Sequence, residues 1–212
     1  MIFFDFDGTL VDIWPRYYQV FLSASGGSGI TLSQYRRVKQ TEVSDLKTAR
    51  YFGKELSDTY FDLKRVLLED TEYLRLDTLL VPPETLIAFF SKFDCRILTC
   101  RRQPQSFLRE LEDLGLGRLA NRSTILNPDL QISKKKFLAQ NFPPSSHIVI
   151  GDSQAEWETA FLENVRSVFV RTGLRKPEDF PLTARHQVVP SALSFISTYM
   201  ERGIQPWASK KS

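Results

Sequence analysis

Six short apolar, β-rich runs alternate along this chain with stretches of helical periodicity, and that alternation limits the fold more than any other feature. The runs are residues 2–6, 96–99, 123–126, 148–150, 168–170 and 187–189. Between them Phe107, Leu111 and Leu114 fall at i, i+4, i+7, as do Ala155, Thr159 and Leu162; Leu193, Ile196 and Met200 fall at i, i+3, i+7. Strands alternating with helices predict parallel βαβ units: an α/β fold with a doubly wound, mostly parallel sheet covered on both faces.

Residues 13–81 break the alternation. Ile13, Tyr17 and Phe21 share one helix face there, and Tyr60, Leu63 and Leu67 another. A Gly/Ser-rich link at 25–29 punctuates the stretch, and Val81-Pro82-Pro83 closes it. A small helical domain inserted after the first strand is expected, leaving 1–12 and 82–202 as the core. A chain of 212 residues is long enough for one core plus such an insertion. The tail at 203–212 is expected to be poorly ordered.

Composition narrows the function classes. With 28 basic and 25 acidic residues the formal charge is +3, too small and too scattered to make nucleic acid the default partner. No apolar stretch approaches the ~20 residues that span a bilayer. The N-terminus has no basic segment before Ile2-Phe3-Phe4, and Asp5 and Asp7 interrupt it, so a signal peptide is not expected and the cytoplasm is. The two cysteines, Cys95 and Cys100, flank one strand run at a spacing unsuited to a disulfide or a zinc knuckle, so reduced thiols are expected.

The most informative stretch is Asp5-Phe6-Asp7-Gly8-Thr9-Leu10. In a buried parallel strand, charges surface only where the strand emerges, and in open α/β sheets that carboxyl edge is where ligands bind. Two carboxylates there are costly unless a cation or a reaction uses them. Gly8 permits a tight turn and close backbone approach to a ligand.

Three further places fit the same edge. The run 96–99 ends in Thr99, then Cys100, Arg101 and Arg102; a hydroxyl and backbone N–H groups there suit phosphate oxygens. A strand-terminal threonine also has a plain structural reading, as β-propensity and helix cap. Ser133 caps a helix opening with Lys134, Lys135 and Lys136, where basic residues oppose the macrodipole and an anion nearby would account for them. The run 148–150 leads into Gly151-Asp152-Ser153, with Glu156 one turn on, so Asp152 and Glu156 can converge on one cation.

In this order the residues resemble the four motifs of the haloacid dehalogenase superfamily of phosphohydrolases. Asp5-Phe6-Asp7-Gly8-Thr9 matches the first, Thr99 the second, a lysine of 134–136 the third, and Gly151-Asp152-Ser153 with Glu156 the fourth. The inserted helices resemble the family's first cap class, as in phosphoglycolate phosphatases and β-phosphoglucomutases. Lys134 best fits the third motif, because Phe137 and Leu138 follow at the expected spacing; Lys135 stays open. Glu156 stands where the family often has aspartate.

The resemblance implies a Rossmann-like core and a magnesium-dependent hydrolase of small phosphate monoesters. Asp5 would be the nucleophile, forming an aspartyl-phosphate, and Asp7 the acid and base. Mg²⁺ would be held by Asp5, the Asp7 carbonyl and Asp152, with Glu156 orienting its waters. Phosphate oxygens would meet Thr99, Lys134, Cys100 and Gly8. Arg101 is a candidate for a second anionic group on the substrate, and Arg16, Tyr17 and Arg36 are weaker candidates, for which a solvated face is the ordinary reading. A phosphosugar mutase would use the same residues, and a non-catalytic phosphate-binding scaffold would have no need of Asp5 or Asp7. A dehalogenase needs no acid at Asp7 and no metal, which argues against it. Substrate and oligomeric state are not legible.

Overall fold

A computed structural model describes residues 1–27, 29–42, 44–142 and 146–202. The expectation for the tail at 203–212 lies outside the described residues, as does one residue of the 25–29 link.

The chain opens with β1 (Ile2–Phe4) and a two-residue strand β2 (Val11–Asp12). Five helices follow: α1 (Trp14–Ser25), α2 (Leu32–Thr41), α3 (Asp45–Tyr51), α4 (Tyr60–Leu67) and α5 (Thr71–Leu74). Strand β3 (Thr78–Leu79) then returns antiparallel to β2, so the chain leaves and re-enters the core side by side. Beyond it come α6 (Pro83–Lys92), β4 (Cys95–Cys100), α7 (Pro104–Asp113), β5 (Ser123–Leu126), α8 (Lys134–Asn141) and β6 (His147–Gly151). The last elements are α9 (Gln154–Trp157), β7 (Val165–Val170), β8 (His186–Val189) and α10 (Ala192–Arg202).

The main sheet has the order β5-β4-β1-β6-β7-β8, and every pairing in it is parallel. The chain winds outward from β1 through β4 to β5, then crosses back to β6 on β1's other side. That reversal opens a crevice at the carboxyl ends of β1, β4 and β6.

Strand alternation puts β1 in contact with both layers. Ile2 and Phe4 join a cluster with Phe89 and Phe90 of α6 and Phe195 and Ile196 of α10. Phe3 points the other way, packing with Leu138 of α8, and its ring meets Phe142 edge-on at 4.9 Å. Rings meeting edge to face gain more than area burial alone. Trp14, Phe21, Tyr35 and Tyr60 form a separate small core among the inserted helices.

The structure departs from the periodicity in four places. The first strand ends at Phe4 rather than Phe6, because residues 6–11 fold into a turn in which Leu10 and Val11 N–H both donate to the Phe6 carbonyl. The helix expected across 155–162 is α for one turn and then tightens to a 3-10 turn at Glu158–Phe161. There the Thr159 hydroxyl donates to the Glu156 carbonyl at 2.6 Å and competes with the α ladder. In α4 the inward stripe runs from Tyr60 to Lys64, which pairs with Asp45, and leaves Leu63 exposed. In α10 it is Ala192, Phe195, Ile196 and Tyr199 that are buried, with Met200 41% exposed.

Phe107 of α7 is fully buried and meets Phe6 edge-on at 5.0 Å, fixing α7 against the turn that follows β1. Phe107→Ala is expected to lower unfolding free energy by about 3–5 kcal/mol, while Met200→Ala changes it by less than about 0.5. Denaturant titration of both variants measures the difference.

Candidate active site

Three strand ends deliver the chemistry to one crevice. Asp5 follows β1 and stays in the ladder, its N–H donating to the Ile150 carbonyl at 2.8 Å. Thr99 and Cys100 close β4, and Asp152 follows Gly151 at the end of β6. Asp5, Asp152 and Glu156 each bring one carboxylate oxygen within 4.8 Å of the others, and all three side chains are buried.

Helix starts supply what the strand ends lack. Ser133 caps α8 by accepting from Lys136 N–H at 3.1 Å, which places Lys134 at the helix's first position. From there its ammonium reaches Asp5 Oδ1 at 2.5 Å and Glu156 Oε1 at 2.6 Å. Lys135 turns away, its ammonium 5.5 Å from the Phe161 ring centroid. Glu156 completes a capping box, taking Ser153 N–H at 3.0 Å and Ser153 Oγ–H at 2.6 Å on Oε2. Both of its oxygens are therefore engaged, by the cap and by Lys134.

Close backbone approach is needed at Gly151, where a Cβ would lie 2.1 Å from Glu156 Cγ, and at two glycines around Asp152. Gly8 has φ +73°, and a Cβ there would lie 2.7 Å from Asp152 Oδ2. At Gly173 a Cβ would lie 1.7 Å from the same oxygen, which accepts Leu174 N–H at 3.0 Å. The loop after β7 is also tied to the first turn, since Thr172 Oγ1 donates to the Gly8 carbonyl at 2.6 Å. Gly8 thus makes room for Asp152. Sequence reasoning missed the 172–174 loop; a Thr-Gly pair directly after a β-rich run was the available signal.

Charge is unbalanced in this crevice. Burial pushes the Asp5 carboxyl up to about 7 even though Lys134 pulls it down. Burial also holds Asp152 well above the usual carboxylate range, with Asp5 and Glu156 adding to the rise. Three buried carboxylates against one ammonium are a donor set of hard oxygens that suits a divalent cation such as Mg²⁺. The Thr99 hydroxyl, fully buried at the same edge, has no hydrogen-bond partner among the described residues, a group that a phosphate oxygen would satisfy. Cys100 beside it is exposed and both cysteines are free thiols.

Asp7 sits apart from this cluster. Its carboxylate is gripped by Arg101, with Nε–Oδ2 and Nη2–Oδ1 both 2.8 Å, and by Arg16 from α1. Burial alone would raise its pKa, but the two guanidiniums win and hold it at about 2. The Asp7 side chain is therefore held between two guanidiniums, apart from the Asp5–Asp152–Glu156 cluster. Arg101 also meets Glu110 Oε2 through Nη2 at 3.0 Å, while its Nη1 has no hydrogen-bond partner among the described residues. Arg16, only 2% exposed, is no solvated residue: it also faces Asp77 Oδ2 at 3.1 Å and donates to the Leu68 carbonyl at 2.9 Å. Tyr17 is half-buried beside it, and Arg36 is exposed over the Trp14 ring, 5.1 Å from its centroid. Asp77 and Glu110, unnoticed in the sequence, line a cavity of about 310 Å³ between α5 and α7, behind the arginines rather than over Asp5.

Comparison with known proteins bears on the fold. No protein-family model matches the chain. No curated protein sequence matches it. Among solved structures, a protein described as a predicted phosphatase from Clostridium acetobutylicum superposes with TM-score 0.66 at 16% identity, covering 94% of this chain and 97% of that one. A haloacid dehalogenase-like hydrolase from Streptococcus pneumoniae gives TM-score 0.64 at 15% identity, covering 93% and 97%. The chain has the haloacid dehalogenase fold. Protein tyrosine kinase A of Mycobacterium tuberculosis shares that fold too, with TM-score 0.63, 16% identity and coverage of 93% and 96%. A haloacid dehalogenase fold therefore leaves the chemistry to the residues at the crevice.

Asp77 is buried and carries a pKa raised by that burial from 3.8 to about 9. Between those two values the folded protein keeps a proton that the unfolded chain has lost, so this group makes stability fall as pH rises. Asp77→Asn is expected to flatten the decline of Tm between about pH 5 and pH 9, measured by thermal melts across that range.

Proposed function

We propose that this protein is a Mg²⁺-dependent phosphatase of small phosphate monoesters, with Asp5 as nucleophile. The observation that carries the reading is the buried Asp5–Lys134 pair beside Asp152 and the unpartnered Thr99 hydroxyl. A nucleophilic carboxylate, a cation for the transferring group and an idle donor stand together where three strands end.

Asp5 attacks phosphorus in line as the ester P–O bond breaks, giving an aspartyl-phosphate and an alcohol. Lys134 and the Thr99 hydroxyl hold non-bridging oxygens and offset the charge that builds on them. Asp7 gives the proton to the departing oxygen, then takes one from the water that cleaves the acyl phosphate. Phosphate leaves and Asp5 is restored. Mg²⁺, held by Asp5, Asp152 and the Asp7 carbonyl, would supply the positive charge that lets a phosphate dianion approach these carboxylates. Glu156 is engaged by Lys134 and its own helix cap, which supports a role in orienting the lysine.

The arginine-clamped Asp7 is ionised, the form that accepts a proton from water in the second half. Its acid form requires the clamp to relax. Arg16 belongs to the helical segment 13–81, which supports reading that segment as a cap whose movement changes the clamp.

Asp5→Asn is expected to cut phosphate release by roughly a thousandfold or more across a panel of monoesters, with Tm retained. Wild-type turnover in that variant would refute the nucleophile assignment. Conversion of a sugar phosphate to its isomer without phosphate release would favour the mutase alternative. For the metal, Asp152→Asn is expected to raise the Tm of the EDTA-treated protein by removing a carboxyl whose burial is costly, and to abolish the Tm gain that added Mg²⁺ gives the wild type. An undiminished gain would exclude Asp152 as a ligand.

A further inference from the structure

Glu69 lies between α4 and α5, yet its carboxylate is spent on the opposite side of the crevice. Oε1 accepts Arg102 N–H at 2.8 Å and Oε2 accepts Gln103 N–H at 2.6 Å. These amides open α7, whose N-cap Gln103 makes no side-chain cap bond of its own. A carboxylate from 33 and 34 residues away thus supplies the acceptors and meets the positive end of the helix. Glu69 is buried, at 6% exposure.

The adjoining residues show what this contact controls. Arg101, next to the bound amides, presents its guanidinium to Asp7, and Leu68, next to Glu69, accepts the other arm of Arg16 at 2.9 Å. One dipeptide, Leu68-Glu69, therefore sets both the loop that carries Arg101 and the reach of Arg16.

We propose that Glu69 is a positioning residue that aims Asp7, acting through the two arginines that grip it. The catalytic consequence rests on the phosphatase reading; the contacts do not. A residue that only capped α7 would alter stability and leave turnover per folded molecule unchanged.

The test compares wild type, Glu69→Ala and Glu69→Gln at a temperature where all are folded. Hydrogen exchange is read at amides 102–103 and in the 8–11 turn, and kcat and KM with p-nitrophenyl phosphate and Mg²⁺. In Glu69→Ala, exchange at 102–103 is expected to rise about tenfold or more and to spread to the 8–11 turn. The kcat should fall about tenfold or more with KM changed less than about threefold. Glu69→Gln, keeping one acceptor oxygen, should recover part of both. Faster exchange confined to 102–103 with unchanged kcat would overturn the proposal, as would unchanged exchange at 102–103. A wild type inert on every monoester would sink the phosphatase reading, while exchange at 102–103 and 8–11 would still decide the linkage from Glu69 to the Asp7 turn.

Discussion

One ammonium bears much of the electrostatic load in this molecule. Lys134 lies within 2.6 Å of both Asp5 and Glu156, in a pocket where Asp152 adds a third carboxylate. Unpaired buried charge is among the most expensive things a fold can hold. Helix α8 begins where it does, with Ser133 as cap, so that this lysine is delivered to the strand edge. Even so, burial raises the carboxyls of Asp5 and Asp152, and the neighbouring carboxylates add to the rise beyond what one ammonium offsets. A stability-minded sequence would put apolar residues here. The arrangement makes sense as a place kept ready for a divalent ion and a phosphate.

A second charge system stands beside the first. Asp7 pairs with both Arg16 and Arg101, Asp77 stands against Arg16, and Glu110 pairs with Arg101. The two systems differ in what they ask of the helical segment. Asp5, Lys134, Asp152 and Glu156 all belong to the sheet side, whereas Arg16, Glu69 and Asp77 come from residues 13–81. The carboxylate–lysine cluster is thus built into the core, and the environment of Asp7 depends on where the inserted helices sit.

Local sequence determined the strand edges and the identity of the chemical groups. The apolar run Ile2-Phe3-Phe4 and carboxylates at 5, 7 and 152 point to a buried sheet whose charges emerge at one edge, because burying them unpaired is costly in free energy. Capping chemistry was likewise local: Ser133 and Ser153 with Glu156 mark their helix starts by short-range hydrogen bonds. Where periodicity failed, at Leu63 and Met200, a neighbouring element rotated the buried stripe, which no single helix can encode.

Partnership across the chain was decided only in three dimensions. That Lys134 rather than Lys135 meets Asp5 depends on the angle at which α8 leaves β5, and that Asp7 is gripped rather than free depends on α1 folding back over β4's end. Asp77, Glu110, Glu69 and Gly173 carry no motif, because what makes them matter is a close approach between residues remote in sequence. Short-range chemistry chose which groups the crevice would contain. Long-range packing chose which of them would touch, since an ion pair depends on distance in space and leaves no periodic trace along the chain.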